Sequence, residues 1–169
     1  MLRDDQNIVL IGMPGVGKST VGVLLAKATW RGFVDTDVVI QAREGRRLQD
    51  ILDSQGVEAF RQIEERHVLA LAHRCCVVAT GGSVVYSDRA MAHLKATGVA
   101  VHLHLPFDIL ERRLTDLDSR GVVFEPGQSL RELFDKRQPL YERFADVTVE
   151  CTGLNHDQVV AATMATLGL

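Results

Sequence analysis

Residues Gly12-Met13-Pro14-Gly15-Val16-Gly17-Lys18-Ser19 fit the pattern GxxxxGK[ST] and run on into Thr20. They lie between an apolar tetrad, Ile8-Val9-Leu10-Ile11, and a helical pattern over Val21–Ala28. No other stretch of the chain limits the fold as tightly. The glycines let the backbone curl until successive N–H groups point inward at one anion. A helix starting at Lys18 aims the positive end of its dipole at the same point. Lys18 then reaches β- and γ-phosphates, and the Ser19 hydroxyl is placed to ligate Mg²⁺. Gly12, Gly15, Val16, Gly17, Lys18, Ser19 and Thr20 are therefore the expected phosphate site of a nucleoside triphosphate. The competing reading, a glycine-rich turn without a ligand, fits the strand–loop–helix context less well.

The rest of the chain alternates in the same way. Short apolar runs at Ile8–Ile11, Phe33–Asp35, Cys76–Ala79, Val99–Leu105 and Val147–Glu150 read as five strands. Longer segments with apolar spacing of three and four separate them, as in Val57, Phe60, Ile63, Glu64, His67, Val68 and Leu71. This predicts an α/β fold of the P-loop, nucleoside-monophosphate-kinase-like kind, with a parallel five-stranded sheet flanked by helices. A length of 169 residues suits a single domain, 1–169. With 46% hydrophobic but only 5% aromatic residues, its core must rest on aliphatic side chains. A net charge of −3 argues against a nucleic-acid partner bound through a broad basic surface. The apolar runs are too short for a membrane span, and the first residues lack the basic start and apolar stretch of a signal peptide. Cys75, Cys76 and Cys151 are odd in number and do not outline a disulfide framework. A cytoplasmic monomer with reduced, mostly buried thiols is expected.

Residues 115–128 break the rhythm: they have no period, and Gly121, Pro126 and Gly127 punctuate them. Such a loop suits a lid over an active site, or else is a floppy surface excursion. Ser129 with Glu132 three residues later reads as a capping box opening the next helix. The GTPase guanine-reading motif NKxD is absent, so a small P-loop kinase with a lid is expected rather than a GTPase.

Four further motifs follow in order: Asp35-Thr36-Asp37, Phe60-Arg61-Gln62-Ile63-Glu64, Thr80-Gly81-Gly82-Ser83 and Lys136-Arg137-Gln138-Pro139-Leu140-Tyr141. Behind the P-loop, and over about residues 7–150, they resemble the shikimate kinase family. The resemblance implies MgATP-dependent phosphorylation of shikimate to shikimate 3-phosphate, with homoserine or gluconate as alternative carboxylate-bearing acceptors. It implies that Asp35 helps hold Mg²⁺ through water and that Asp37 orients or deprotonates the acceptor hydroxyl. Arg61 and Arg137 resemble the pair that clamps the acceptor carboxylate. Gly81 and Gly82 would bring backbone N–H groups to the acceptor and γ-phosphate. Arg113 is similar to the adenine-stacking arginine, and Arg120 stands in the place of the catalytic lid arginine. Ser83 replaces the family's usual third glycine, and Arg120-Gly121-Val122 replaces its Arg-Pro-Leu.

The chemistry of the residues agrees with this. A kinase needs a carboxylate near the attacking hydroxyl and positive charge around the transferring phosphoryl group. Arginine's planar fork suits a carboxylate. Plainer readings remain beside it. Asp35 and Asp37 can simply cap a helix, Arg61 can pair with Glu64 or Glu65, and Arg137 can be a solvated charge before Pro139. Either Arg112 or Arg113 can be the surface residue of that pair. A nucleotide-dependent switch without turnover is the alternative from another class. His102 and His104 alternate on a strand and are expected to pack on one side, since a metal needs a third ligand. Cys75, Cys76 and Trp30 are expected to pack, and Phe60 to pack or to line the acceptor pocket.

Overall fold

The structure, a computed structural model, describes residue 3, residues 5–115 and residues 122–169. The apolar tetrad lies in β1 (Asn7–Ile11), where every residue is buried. It pairs on one side with β3 (Cys76–Ala79) and on the other with β4 (Gly98–His104). The edges are β2 (Gly32–Asp35) and β5 (Val147–Glu150), giving an all-parallel sheet in the order β2-β3-β1-β4-β5. A central parallel strand is covered on both faces, which is why β1 is continuously apolar rather than alternating.

Parallel neighbours need crossover helices. They are α1 (Lys18–Ala28), α2 (Thr36–Glu44), α3 (Leu48–Leu69), α4 (Asp88–Thr97), α5 (Phe107–Thr115) and α6 (Leu130–Phe144), and α7 (His156–Leu167) follows the last strand. α1 packs with α7, while α3 packs with α4, which lies on β4 and β1. Ser129 and Glu132 do form the capping box that opens α6.

The register positions the site. Leu10 of β1 and Asp35 of β2 both stand opposite Ala79 of β3, so three strands end level with one another. Thr80 fixes that alignment: its N–H and its hydroxyl both donate to the Leu10 carbonyl, at 3.2 and 2.9 Å. At the other end, the Asn7 carboxamide accepts from Cys76 N (3.0 Å) and donates to the His73 carbonyl (2.8 Å).

Several expectations need correction. The helix read from Val57 starts earlier, at Leu48, and bends at Gly56, whose φ of 83° and ψ of 173° leave the helical region. Trp30 does not pack; it follows α1 with a left-handed φ of 52° and is 93% exposed. Cys75 is exposed, turned outward at φ 53° just before β3, whereas Cys76 and Cys151 are buried and all three thiols are free. Thr115 closes α5 rather than opening the loop. The described end of that loop is no floppy excursion: Val122 and Val123 are buried. Val123 joins Ile40, Leu48, Ile51, Phe60 and Ile63 in a small second core beside the main one.

His102 and His104 do lie together, with ring centroids 5.6 Å apart. His102 is buried and stacks on Tyr141 at 5.3 Å. Burial, and then the neighbouring His104, hold the His102 imidazole down to about 4. Between that value and the unfolded pKa of about 6.5 the unfolded chain binds a proton that the folded chain refuses. His102 therefore contributes stability at neutral pH that is lost as pH falls from 6.5 toward 4. Relative to His102→Gln, the wild-type protein should lose on the order of 3 kcal/mol between pH 7 and pH 4. Denaturant titrations of both proteins at each pH measure this, and parallel pH profiles would contradict it.

Candidate active site

The loop between β1 and α1 is built on glycine. At Gly12 φ is 144°, and a Cβ there would stand 2.6 Å from the Leu103 carbonyl oxygen. Gly17 is the left-handed N-cap of α1 at φ 104°, and no side chain caps the helix. The first N–H groups of α1 are thus left to face the loop. Lys18 is buried, and its Nζ donates to the carbonyls of Gly12 (2.7 Å) and Met13 (3.0 Å). Desolvation brings its ammonium down to about 8, against the pull of Asp37. Ser19 and Thr20 are exposed at the mouth.

Asp35 divides its two oxygens. Oδ1 caps α2, accepting from Asp37 N (3.0 Å) and Val38 N (3.3 Å), while Oδ2 accepts from the Ser19 hydroxyl at 2.6 Å. One residue thus both caps α2 and ties it to Ser19 at the start of α1. Ser19 and Asp35 together present hard oxygen donors of the kind Mg²⁺ takes, so the residues present fit that ion.

Asp37, Phe60, Gly81, Gly82, Val123 and Arg137 line one small cavity next to Pro14 of the phosphate loop. Burial, and then the charge of Asp35, push the Asp37 carboxyl up to about 6, with Lys18 opposing. A side chain at Gly81 would overlap Glu64 Oε1 and come within 2.8 Å of Asp37 Oδ1; one at Gly82 would come within 2.8 Å of Arg137 Nη1. Glycine is what lets the turn lie against all three groups. The Gly81 N–H donates to Thr36 Oγ1 (3.0 Å), and the Tyr141 hydroxyl donates to the Gly82 carbonyl (2.7 Å).

Arg137 is only 1% exposed, which rules out a solvated charge. Its Nη2 donates to the Val123 carbonyl (3.1 Å) and its Nε to the Tyr86 hydroxyl (3.4 Å). Arg61 stacks over the same Tyr86 ring, 4.2 Å from its centroid, and donates to Glu125 Oε1 at 3.0 Å. Its ion-pair partner is thus Glu125 rather than Glu64 or Glu65. Tyr86, in the 3₁₀ turn Val84–Tyr86, is a shared platform for both arginines. Arg112 is exposed and paired with Asp108 (3.1 Å), whereas Arg113 is half-buried and its charge reaches the Cys151 thiol. Arg120 and residues 116–121 of the expected lid lie outside the described residues.

Sequence reasoning missed Glu64 as a site residue. It is 2% exposed on α3; Oε2 accepts from the Ser83 hydroxyl at 2.6 Å, and Oε1 has no hydrogen-bond partner among the described residues. Burial pushes its carboxyl up to about 7; the Asp37 charge adds to this and the Ser83 hydrogen bond opposes it. The signal was visible, since an acidic residue occupied a mostly apolar helical stripe. The Ser83 hydroxyl is therefore occupied in holding this carboxylate.

A folded-state pKa raised this way stabilises the protein below about pH 4.5, and the contribution is lost as pH rises through 7. Glu64→Gln should therefore be more stable than wild type at pH 8, by as much as about 3 kcal/mol, with the gain falling below about 1 kcal/mol at pH 5 and vanishing below about pH 4. Thermal unfolding across pH tests this; a gain independent of pH would show that Glu64 does not titrate in this range.

A family model described as shikimate kinase matches residues 14–168. A shikimate kinase from Thermodesulfovibrio yellowstonii is 39% identical over 157 residues, 91% of this chain and 90% of that one. One from Pasteurella multocida is 37% identical over 169 residues, 98% and 94% of the two chains. Among solved structures, shikimate kinase from Acinetobacter baumannii in complex with shikimate superposes with a TM-score of 0.85 at 31% identity, covering 96% and 93%. A gluconokinase from Sinorhizobium meliloti, with a TM-score of 0.54 at 19% identity, shares the fold alone. Likeness that runs nearly end to end, in sequence and in backbone alike, means that the chain belongs to the shikimate kinase family.

Proposed function

We propose that this chain transfers the γ-phosphoryl group of ATP to a hydroxyl of shikimate, giving ADP and shikimate 3-phosphate. The reading is supported above all by Arg137, which shares one cavity at the Gly81–Gly82 turn with Asp37 and Pro14 of the phosphate loop, and shares the Tyr86 ring with Arg61. Arg61 and Arg137 hold the acceptor carboxylate, and Asp37 receives the hydroxyl that attacks. A new bond forms from that oxygen to the γ-phosphorus, the bond to the β–γ bridging oxygen breaks, and the hydroxyl proton passes to the Asp37 carboxylate. A carboxyl poised at about 6 is mostly ionised at neutral pH and can take that proton.

Lys18 and the amides of Gly15, Val16 and Gly17 stabilise charge on the phosphoryl oxygens. Ser19 and Asp35 would hold Mg²⁺, which when bound would neutralise phosphate charge. Thr20 follows Ser19 at the phosphates. Gly81 and Gly82 let the acceptor approach the backbone closely. Arg113 stacks on adenine, a role its half-buried place on α5 supports, and the family pattern assigns a further phosphate contact to Arg120. The compartment proposed is the cytoplasm, supported by three free thiols.

ADP release is measured with MgATP and, separately, shikimate, homoserine or gluconate, against a blank without acceptor. Strong stimulation by shikimate alone is expected; stimulation by another acceptor, or equal turnover in the blank, overturns the assignment. Lys18→Ala should lower kcat about 100-fold or more, through lost transition-state charge stabilisation. Arg137→Lys should raise the acceptor KM about 10-fold or more with the ATP KM little changed, because a point charge cannot replace the fork. An unchanged acceptor KM would remove Arg137 from the clamp.

A further inference from the structure

We propose that the Glu125 carboxylate competes with the carboxylate of the acceptor for Arg61, and so sets how strongly this chain prefers an acid over a neutral acceptor. The inference rests on the carboxylate clamp of the proposed function. It starts from one contact: Arg61 Nη2 donates to Glu125 Oε1 at 3.0 Å, across 64 positions of sequence. The guanidinium assigned to the acceptor's carboxylate is already bound to a carboxylate belonging to the chain.

Glu125 does not reach Arg61 by chance from a loose loop. Two residues earlier, Val123 is buried in the small core with Phe60 and Ile63, and its carbonyl accepts from Arg137 Nη2. Two residues later, Gly127 takes a left-handed φ of 77°, and the turn closes with Gln128 N donating to the Glu125 carbonyl (2.9 Å). The Glu125 N–H donates to Gln128 Oε1 (3.1 Å). One short segment therefore touches both clamp arginines, Arg137 through a carbonyl and Arg61 through a carboxylate.

The charge balance favours competition over assistance. The hydrogen bond from Arg61, followed by the charge of Lys136, holds the Glu125 carboxyl below the usual carboxylate range, so it is anionic wherever the enzyme works. An acceptor carboxylate arriving at Arg61 meets a guanidinium whose charge is already largely balanced, with a second anion beside it. Lys136 Nζ lies 3.7 Å from the same Glu125 oxygen and offers that carboxylate another partner when the acceptor takes Arg61. Glu125 is half-exposed, so water screens the pair and the effect is moderate.

The test compares shikimate with its methyl ester, which keeps the ring hydroxyls and loses the charge. KM is measured for both with wild type and with Glu125→Gln, and binding of each is checked by calorimetry. We expect Glu125→Gln to lower the shikimate KM by about two- to ten-fold while the ester's changes less than about two-fold, so the preference for the acid widens. A preference that stays the same or narrows overturns the proposal, because Glu125 would then brace Arg61 rather than compete for it. If wild type instead takes acid and ester alike, the clamp itself fails and the competition fails with it. That result is told apart from the previous one by the wild-type data alone.

Discussion

Lys18, Glu64 and Arg137 are buried, and Asp37 partly buried, in one cluster at the Gly81–Gly82 turn. Taking isolated charges out of water is costly, and the cost is tolerable only when opposite charges and hydrogen bonds are close at hand. Each of these groups answers another. Asp37 is the largest favourable charge acting on Lys18, and Arg137 acts in that sense on Glu64. The remaining strain appears as titration: two carboxyls sit near neutrality, at about 6 and about 7, instead of well below it. The level ends of β1, β2 and β3 make the cluster possible, since they deliver the phosphate loop, Asp35-Thr36-Asp37 and Thr80-Gly81-Gly82 to one edge of the sheet.

Features that depend on local chain geometry were legible in the sequence. The glycines at 12 and 17 adopt the backbone angles that the motif requires, and all five strands fall within a residue or two of where the apolar runs put them. Asp35 and Asp37 were legible as a pair, though not the division of Asp35's two oxygens between helix and serine. Features that depend on the packing of distant segments were not legible. Nothing local says that Arg137, two residues before the helix-interior Pro139, turns inward to the Val123 carbonyl. Arg61 bonding to Glu125 and both arginines resting on Tyr86 are likewise products of the fold. Trp30 and Cys75 failed for the opposite reason: apolar character suggested burial, but a left-handed backbone at each turns the side chain outward.

Ser83 shows how a side chain in a tight glycine turn can be accommodated. The third residue of the turn gains a hydroxyl, but that hydroxyl points to Glu64 Oε2 at 2.6 Å. It supplies one hydrogen bond to a carboxylate that burial would otherwise push higher still. The two residues act as a unit. Ser83 without Glu64 would be a buried hydroxyl lacking its acceptor, and Glu64 without Ser83 would have neither oxygen satisfied.

Glu64 Oε1 and Arg61 Nε are buried with no hydrogen-bond partner among the described residues, and both belong to side chains at the acceptor side. Unmet polar atoms of this sort cost stability in the free protein, roughly 1–3 kcal/mol each when fully buried. A ligand rich in hydroxyls, carrying one carboxylate, is the kind of molecule that meets such needs. Whatever it satisfies on binding adds to its affinity and, by mass action, to the stability of the folded state. The polar cluster thus weakens the free protein in the same place where the acceptor is proposed to bind. This is the trade expected when a site is held ready by the fold instead of being assembled on binding.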